Sequence, residues 1–266
     1  MIATLADGTV LRPLATHDER ADAVRLQEDT WGAGFTERVP AAILMVGTKI
    51  GGVSAGAFTP AGRLLGFVFG LTGLRDGRLV HWSDMLAVRP DAQRRGLGAA
   101  LKWYQRDCCR AIGVETMYWT FDPFVARNAH LNLHRLGATI DEFVPDMYGN
   151  RTNSHMHGAL GTDRFVAAWT VSTDPLPMSD DPALVEQVPV ANDDVLPDAA
   201  QVAVRVPSDY FALLDADLDQ ARAWRVSARR AFLHYLNNGY RVTAFVPGPD
   251  GYATYLLTNG GSPRAR

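Results

Sequence analysis

Gly96 and Gly98 stand directly behind a pair of arginines, Arg94 and Arg95, where a polar loop gives way to a helix-periodic segment. The first turn of a helix leaves backbone N–H groups without partners, and the helix dipole adds partial positive charge there. Glycine lets a phosphate oxygen approach that backbone because no Cβ stands in the way. The arginines bring cationic donors to the same place. The ligand that suits this arrangement is a diphosphate. Upstream, the apolar run Met85-Leu86-Ala87-Val88 feeds the loop, and Gln93 precedes the arginines.

Other phosphate motifs fit less well. A dinucleotide fingerprint needs a third glycine three residues after Gly98, where Leu101 stands. It also needs a tight strand-to-helix turn, whereas a polar, proline-containing loop intervenes here. A P-loop needs lysine then serine or threonine after its second glycine, and Ala99-Ala100 occupy those positions.

Proton-transfer candidates lie nearby in the chain. Asp84 and His81 sit on the strand that feeds the loop, and Asp122 ends the following strand just before Pro123. Each has a plain structural reading too: a turn or surface carboxylate for Asp84, a half-buried strand residue for His81, and a turn cap for Asp122. Asn128 and Asn132, one helical turn apart, present amides on one face. His130 and His134 on the same helix, and His155 and His157 in an extended segment, have metal-ligand spacing. The helix pair lacks the glutamate of a metalloprotease motif, and no metal is expected. The two cysteines, Cys108 and Cys109, are adjacent, so no disulfide framework exists.

The elements that must position these residues follow from hydrophobic periodicity. Val10 to Pro13 reads as a strand, Asp18 to Trp31 as a helix and Ala41 to Gly47 as a second helix. Three strands follow, Gly51 to Phe58, Leu64 to Leu71 and Leu79 to Val88, in an antiparallel meander. The next helix carries Leu97, Leu101, Tyr104, Cys108 and Ile112 on its apolar stripe, with Arg94, Lys102, Arg106 and Arg110 on its wet face. Then come a strand at Val114 to Phe121, a helix at Arg127 to Leu136 and a strand at Thr139 to Val144. Residues 173–200 hold five prolines among acidic residues and read as a linker or an extended surface crossing. Beyond lie a strand at Gln201 to Val206, one long helix from about Asp209, and strands at Tyr240 to Val246 and Tyr252 to Thr258. The expected partition is a ligand-binding domain over 1–172, the acidic crossing over 173–200, a smaller α+β part over 201–259 and a tail over 260–266.

Composition sets limits. The chain has 266 residues, 47% hydrophobic and 21% charged, with a formal net charge of −3. No basic excess points to nucleic acid. No signal peptide and no membrane-length apolar run is visible, which together with the cysteine usage gives a cytoplasmic expectation.

The run Gln93-Arg94-Arg95-Gly96-Leu97-Gly98, preceded by Leu86-Ala87-Val88-Arg89-Pro90, resembles the acyl-CoA motif of the GNAT (Gcn5-related N-acetyltransferase) superfamily. The element order over roughly residues 10–148 resembles the core of that family, a little over half the chain. Thr120-Phe121-Asp122-Pro123, Arg127-Asn128-Ala129 and His134-Arg135-Leu136-Gly137-Ala138 look like a little-characterised bacterial branch, some members of which are implicated in N-succinylation of amino acids.

The resemblance implies an α/β fold of α+β type, with a mixed, mostly antiparallel sheet, and an enzyme that transfers an acetyl or succinyl group from acyl-CoA to a small-molecule amine. It implies a bulge in the strand Leu79–Val88 that splays it from the next strand. The pantetheine would run along Met85, Leu86, Ala87 and Val88, with the Leu86 N–H polarising the thioester. The diphosphate would lie on Gln93, Arg94, Arg95, Gly96, Leu97, Gly98 and Ala99. Asn128 and Asn132 would assist on the pantetheine, and Asp84 or Asp122 on the proton. Tyr148 and His134 are looser candidates for an acid. The tyrosine that many members use as acid falls at Leu133, which has no hydroxyl. Homodimerisation is a further expectation from the family. Two other readings stay open: a CoA-binding protein without catalysis, and a protein built on a histidine metal site.

Overall fold

The computed structural model describes residues 1–149, 161–192 and 195–260. Chain contacts divide it into two compact units. The first comprises 1–119 and 169–174 of the described residues, and the second comprises 120–149, 161–168 and 175–260, with the break inside 193–194. This is a different division from the one drawn at residue 172. Two strands are shared between the units.

In the first unit, β1 (Ala3–Thr4), β2 (Val10–Pro13), β3 (Val53–Phe58), β4 (Leu64–Arg75) and β5 (Arg78–Val88) pair antiparallel in sequence order. The Asp76-Gly77 turn, both residues at positive φ, closes the β4–β5 hairpin. β6 (Thr116–Phe121) joins β5 in parallel. That pairing needs a crossover, which α3 (Leu97–Ala111) supplies.

The unit also holds α1 (His17–Trp31) and α2 (Ala41–Lys49). Thr16 and Glu19 form a reciprocal capping box at the start of α1. Ala23, Leu26 and Leu44 of these helices share a core with Phe67, Phe69, Met85 and Ala87 of β4 and β5.

α3 differs from its sequence reading. Lys102 and Arg106, expected on the wet face, are each only 3% exposed, while Ile112, expected on the apolar stripe, is exposed. Aromatic rings account for the burial. The Lys102 ammonium lies 4.0 Å from the Trp119 ring centre. The Arg106 guanidinium stands over Trp103 and Trp169 and donates to the Thr173 carbonyl at 2.6 Å.

In the second unit, α4 (Ala126–Ala129) continues into a wider π-helical turn over His130–Arg135, where a single α-helix was expected. The Leu136 and Ala138 amides reach back to the Leu131 and Asn132 carbonyls as this turn closes. β7 (Thr139–Val144) pairs antiparallel with β8 (Arg164–Thr170), a strand not anticipated from sequence. β6 and β8 run through both units, and the sheet order is β1-β2-β3-β4-β5-β6-β8-β7.

A second sheet has the order β10-β11-β9, from β9 (Gln201–Pro207), β10 (Tyr240–Pro247) and β11 (Tyr252–Asn259). The expected long helix is two, α5 (Tyr210–Ala216) and α6 (Leu218–Asn237). Asp217 separates them in extended conformation and caps α6 by accepting from the Gln220 amide. Phe232 and Tyr235 of α6 are fully buried core residues, and Phe165, Phe232 and Tyr255 meet edge to face. In the described part of the proline-rich segment, Pro182–Leu184 form a short 3-10 turn. Val185 and Val188 pack on Ala244, Val246 and Leu256, and Val190 makes a bridge to Ala203.

Candidate functional site

The β4–β5 ladder carries a bulge. Phe69 faces Met85 and the next residue, Gly70, faces Ser83, so Asp84 is the extra residue. A bulge bends its strand and re-aims the side chains beside it. The register of β5 with β6 ends at Trp82 opposite Tyr118, while β5 runs on along β4 to Val88. The bulge expected in this strand is therefore present, centred on Asp84, and the parallel pairing stops beside it.

The Asp84 side chain is open to water, with protein crowded around it. Crowding by protein strips part of its hydration and raises its carboxyl above the usual aspartate value, and the like charge of Glu37, on the α1–α2 connection, raises it further. A carboxylate so placed holds a proton more readily than an ordinary aspartate.

Beyond Val88 the chain makes a short turn at Pro90–Ala92 and enters α3. The Gln93 amide donates to the Val88 carbonyl at 3.0 Å, tying the loop to the end of β5. Arg94 and Gly96 both adopt positive φ, and Gly96 caps α3 in the left-handed conformation. Space in front of this backbone is open. A Cβ on Gly96 would meet nothing within 4 Å, and one on Gly98 only Leu86 Cδ2 at 3.9 Å. Arg94, Arg95 and the amides of Leu97, Gly98 and Ala99 thus stand at a helix mouth with room for a large anion.

Asp122 lies in the second unit in a different setting. Its carboxylate accepts from the Phe124 amide at 2.9 Å and from Arg225 at 2.8 Å, with Arg164 at 3.7 Å. Around it, Asp163 and Asp146 each pair with Arg229, at 2.6 and 2.9 Å. Asn128 and Asn132 also belong to this unit; Asn128 is half-buried and Asn132 buried. Leu133 is fully buried. The Tyr148 hydroxyl meets Thr120 Oγ1 at 2.9 Å, and His134 Nε2 meets the Phe245 carbonyl at 2.7 Å.

His130 and His134 stack with ring centres 5.0 Å apart. Among the described residues, no group of three or more His, Cys, Asp or Glu is placed to hold a metal ion; His155 and His157 lie outside those residues. No helix among them is long and apolar enough to cross a membrane. Burial pushes the Cys109 thiol up to about 12 and raises that of Cys108, which does not suit either to nucleophilic work.

Sequence reasoning missed one cluster behind the bulge. Lys102 Nζ donates to Ser83 Oγ at 2.7 Å, and Ser83 donates to Gln105 Oε1 at 2.7 Å. Gln105 Nε2 reaches His81 Nε2 at 3.0 Å, His81 Nδ1 meets Thr72 Oγ1 at 2.9 Å, and Thr72 donates to the Gly51 carbonyl at 2.7 Å. Since an amide nitrogen only donates, His81 accepts at Nε2 and carries its proton on Nδ1. His81 is fully buried, which holds its imidazole down to about 3 and therefore neutral. The available signal was the helical spacing of Lys102 and Gln105 against the two-residue spacing of His81 and Ser83.

No family model matches the sequence, and no curated protein matches it. Among the solved structures similar to the chain are acetyltransferases and putative acetyltransferases. They include a putative acetyltransferase from Salmonella typhimurium with its cofactor acetyl-CoA (18% identity, 64% of this chain and 97% of that one, TM-score 0.49). A second is a putative GNAT-family acetyltransferase from Desulfovibrio desulfuricans (18% identity, 62% and 99%, TM-score 0.48). A third is a GNAT-superfamily phosphinothricin acetyltransferase from Sinorhizobium meliloti in complex with acetyl-CoA (16% identity, 63% and 93%, TM-score 0.48). The mixed sheet of eight strands, mostly antiparallel, with its bulged fifth strand running into a glycine-mouthed helix, is the architecture that the resemblance to the GNAT fold implied.

Proposed function

We propose that the protein is an acyl-CoA-dependent N-acyltransferase that moves an acetyl or succinyl group to the amine of a small molecule. The observation that carries this reading is the sequence of features within one unit. A strand bulged at Asp84 parts from its parallel neighbour and leads directly into a helix mouth lined by Arg94, Arg95, Gly96 and Gly98.

Each residue then has work to do. The amides at the start of α3 and the two arginines hold the diphosphate of acyl-CoA. The backbone of Met85 to Val88 lines the pantetheine, and the Leu86 N–H polarises the thioester carbonyl. Asp84, with its raised carboxyl pKa, accepts the proton of the attacking amine, directly or through water. The C–N bond forms, the C–S bond breaks, and the leaving thiolate takes up a proton. In this reading Asp122, held by Arg225 and Arg164, serves as an anchor for its loop rather than as the base.

The decisive experiment is a screen of acyl-CoAs against amines, amino acids included, with CoA release as readout. Gly98→Trp should abolish CoA binding by filling the space in front of the helix mouth; unchanged affinity in the folded variant would sink the site. Asp84→Asn should slow transfer ten-fold or more while CoA affinity stays within about three-fold, on the scale typical of general-base loss. Equal rates would remove Asp84 as the base. A second reading, CoA binding without catalysis, is favoured by the buried Leu133 where many family members carry a tyrosine. It prevails if acyl-CoA binds and no amine in the panel releases CoA.

A further inference from the structure

Among the described residues, Lys102 has almost nothing to pair with. It is 3% exposed, and among the described residues its ammonium has one hydrogen-bond acceptor, Ser83 Oγ, and one aromatic face, Trp119. No carboxylate of the described residues pairs with it. An ammonium removed from water without a counter-charge is costly, and a methionine would fill the same space without that cost. Burial shows its effect by holding the Lys102 amine down at about 7.

What the lysine touches is the residue that begins the bulge. Ser83 stands opposite Gly70 at the register shift, and Asp84 follows it. Gly70 is shaped by the same cluster. A Cβ there would collide with His81 Nε2 and lie 2.5 Å from the Trp82 carbonyl oxygen and 2.9 Å from Gln105 Nε2. The bulge is thus fixed from both strands. Gly70 leaves room for the His81–Gln105 contact, Gln105 and Lys102 hold the buried Ser83 hydroxyl between them, and the next residue, Asp84, is exposed.

We infer that Lys102 is a positioning residue for acyl transfer, acting through Ser83 to hold the Asp84 bulge and the backbone of Met85 to Val88 in their working geometry. This rests on the acyl-CoA reading of that strand. Lys102 itself touches neither reactant. Its hydrogen bond removes the freedom of the strand to relax into regular pairing, which would swing Asp84 to the other face of the sheet. A shift of that kind alters the chemical step far more than the hold on a distant diphosphate, because catalysis depends on alignment within a fraction of an ångström.

The test compares Lys102→Met, Ser83→Ala and the double variant, each with acyl-CoA affinity by calorimetry and kcat by CoA release. The expected result is a ten-fold or larger fall in kcat in each single variant, CoA affinity within three-fold of wild type, and a double variant no slower than the slower single one. That non-additivity marks two residues acting as one device. A folded Lys102→Met protein with wild-type kcat would overturn the inference, as would additive losses in the double variant. Ser83→Ala removes a single oxygen, so it tests the idea even if Lys102→Met fails to fold. If the wild-type protein binds no acyl-CoA at all, the proposed function fails instead, and calorimetry separates that outcome from the others.

Discussion

The two units each bury arginine or lysine, and they do so in opposite ways. In the second unit, Arg164, Arg225 and Arg229 stand among Asp122, Asp146 and Asp163, three cations to three carboxylates. In the first, Lys102 is surrounded by uncharged groups, the Ser83 hydroxyl, the Gln105 amide beyond it and the Trp119 ring. A balanced cluster satisfies itself and specifies how the chain packs. An unbalanced one carries the cost of burial without a counter-charge to offset it. The difference separates a structural clasp from a site under tension, and it can be probed directly.

The largest expected effect is on the clasp. Asp163 is fully buried and receives two hydrogen bonds from Arg229. Asp163→Ala should cost about 3–5 kcal/mol, measured by chemical denaturation, because it leaves three cations to two carboxylates and takes a buried acceptor from both Arg229 and the Asp146 amide. A loss below about 1 kcal/mol would show the cluster to be well hydrated and the contrast between units overstated.

Next comes acid sensitivity of the first unit. Folded His81 titrates near 3 and an unfolded histidine near 6.5. Between those values the unfolded chain binds more protons, so stability present above pH 6.5 drains away as pH falls toward 3. From pH 6.5 to 4 the loss attributable to His81 should be roughly 3 kcal/mol. Denaturation midpoints that fall equally in His81→Gln and wild type over this range would assign the acid loss elsewhere. Lys102 has the same sign at higher pH. Its folded value of about 7 lies below the unfolded one, so stability should rise between pH 7 and 10.5.

The smallest of the three concerns Gly70. Gly70→Ala inserts a methyl group against His81 and Gln105 and should cost about 1–3 kcal/mol. It should also lower transfer activity along with stability, whereas Asp163→Ala should affect stability with CoA affinity unchanged. Wild-type transfer in a folded Gly70→Ala protein would detach the bulge from the chemistry.

The parts legible in the sequence were those with a local signature. Gly96 and Gly98 behind two arginines marked the helix mouth, and the alternation around Leu64–Val88 marked the meander. The bulge at Asp84 was implied by family resemblance, since no residue type forces it; it comes from a register shift against β4. Lys102 was misplaced because charged residues on an amphipathic helix normally face water, and only the arrival of Trp119 from a later strand explains its burial. The break between α5 and α6 did have a local mark. Asp217 followed three residues later by Gln220 is a helix-start pattern, overlooked because the apolar spacing on either side ran through it. β8 was missed among residues whose strand partner, β7, is 20 residues upstream in the chain.

The ammonium of Lys102 sits 4.0 Å from the centre of the Trp119 ring. An indole reports electric fields through the colour and yield of its emission, and a charge this near is a strong field. The part of the emission that Trp119→Phe removes should therefore change with pH as Lys102 gains or loses its proton. The charge behind the strand bulge thereby gains an optical readout that needs neither a label nor turnover.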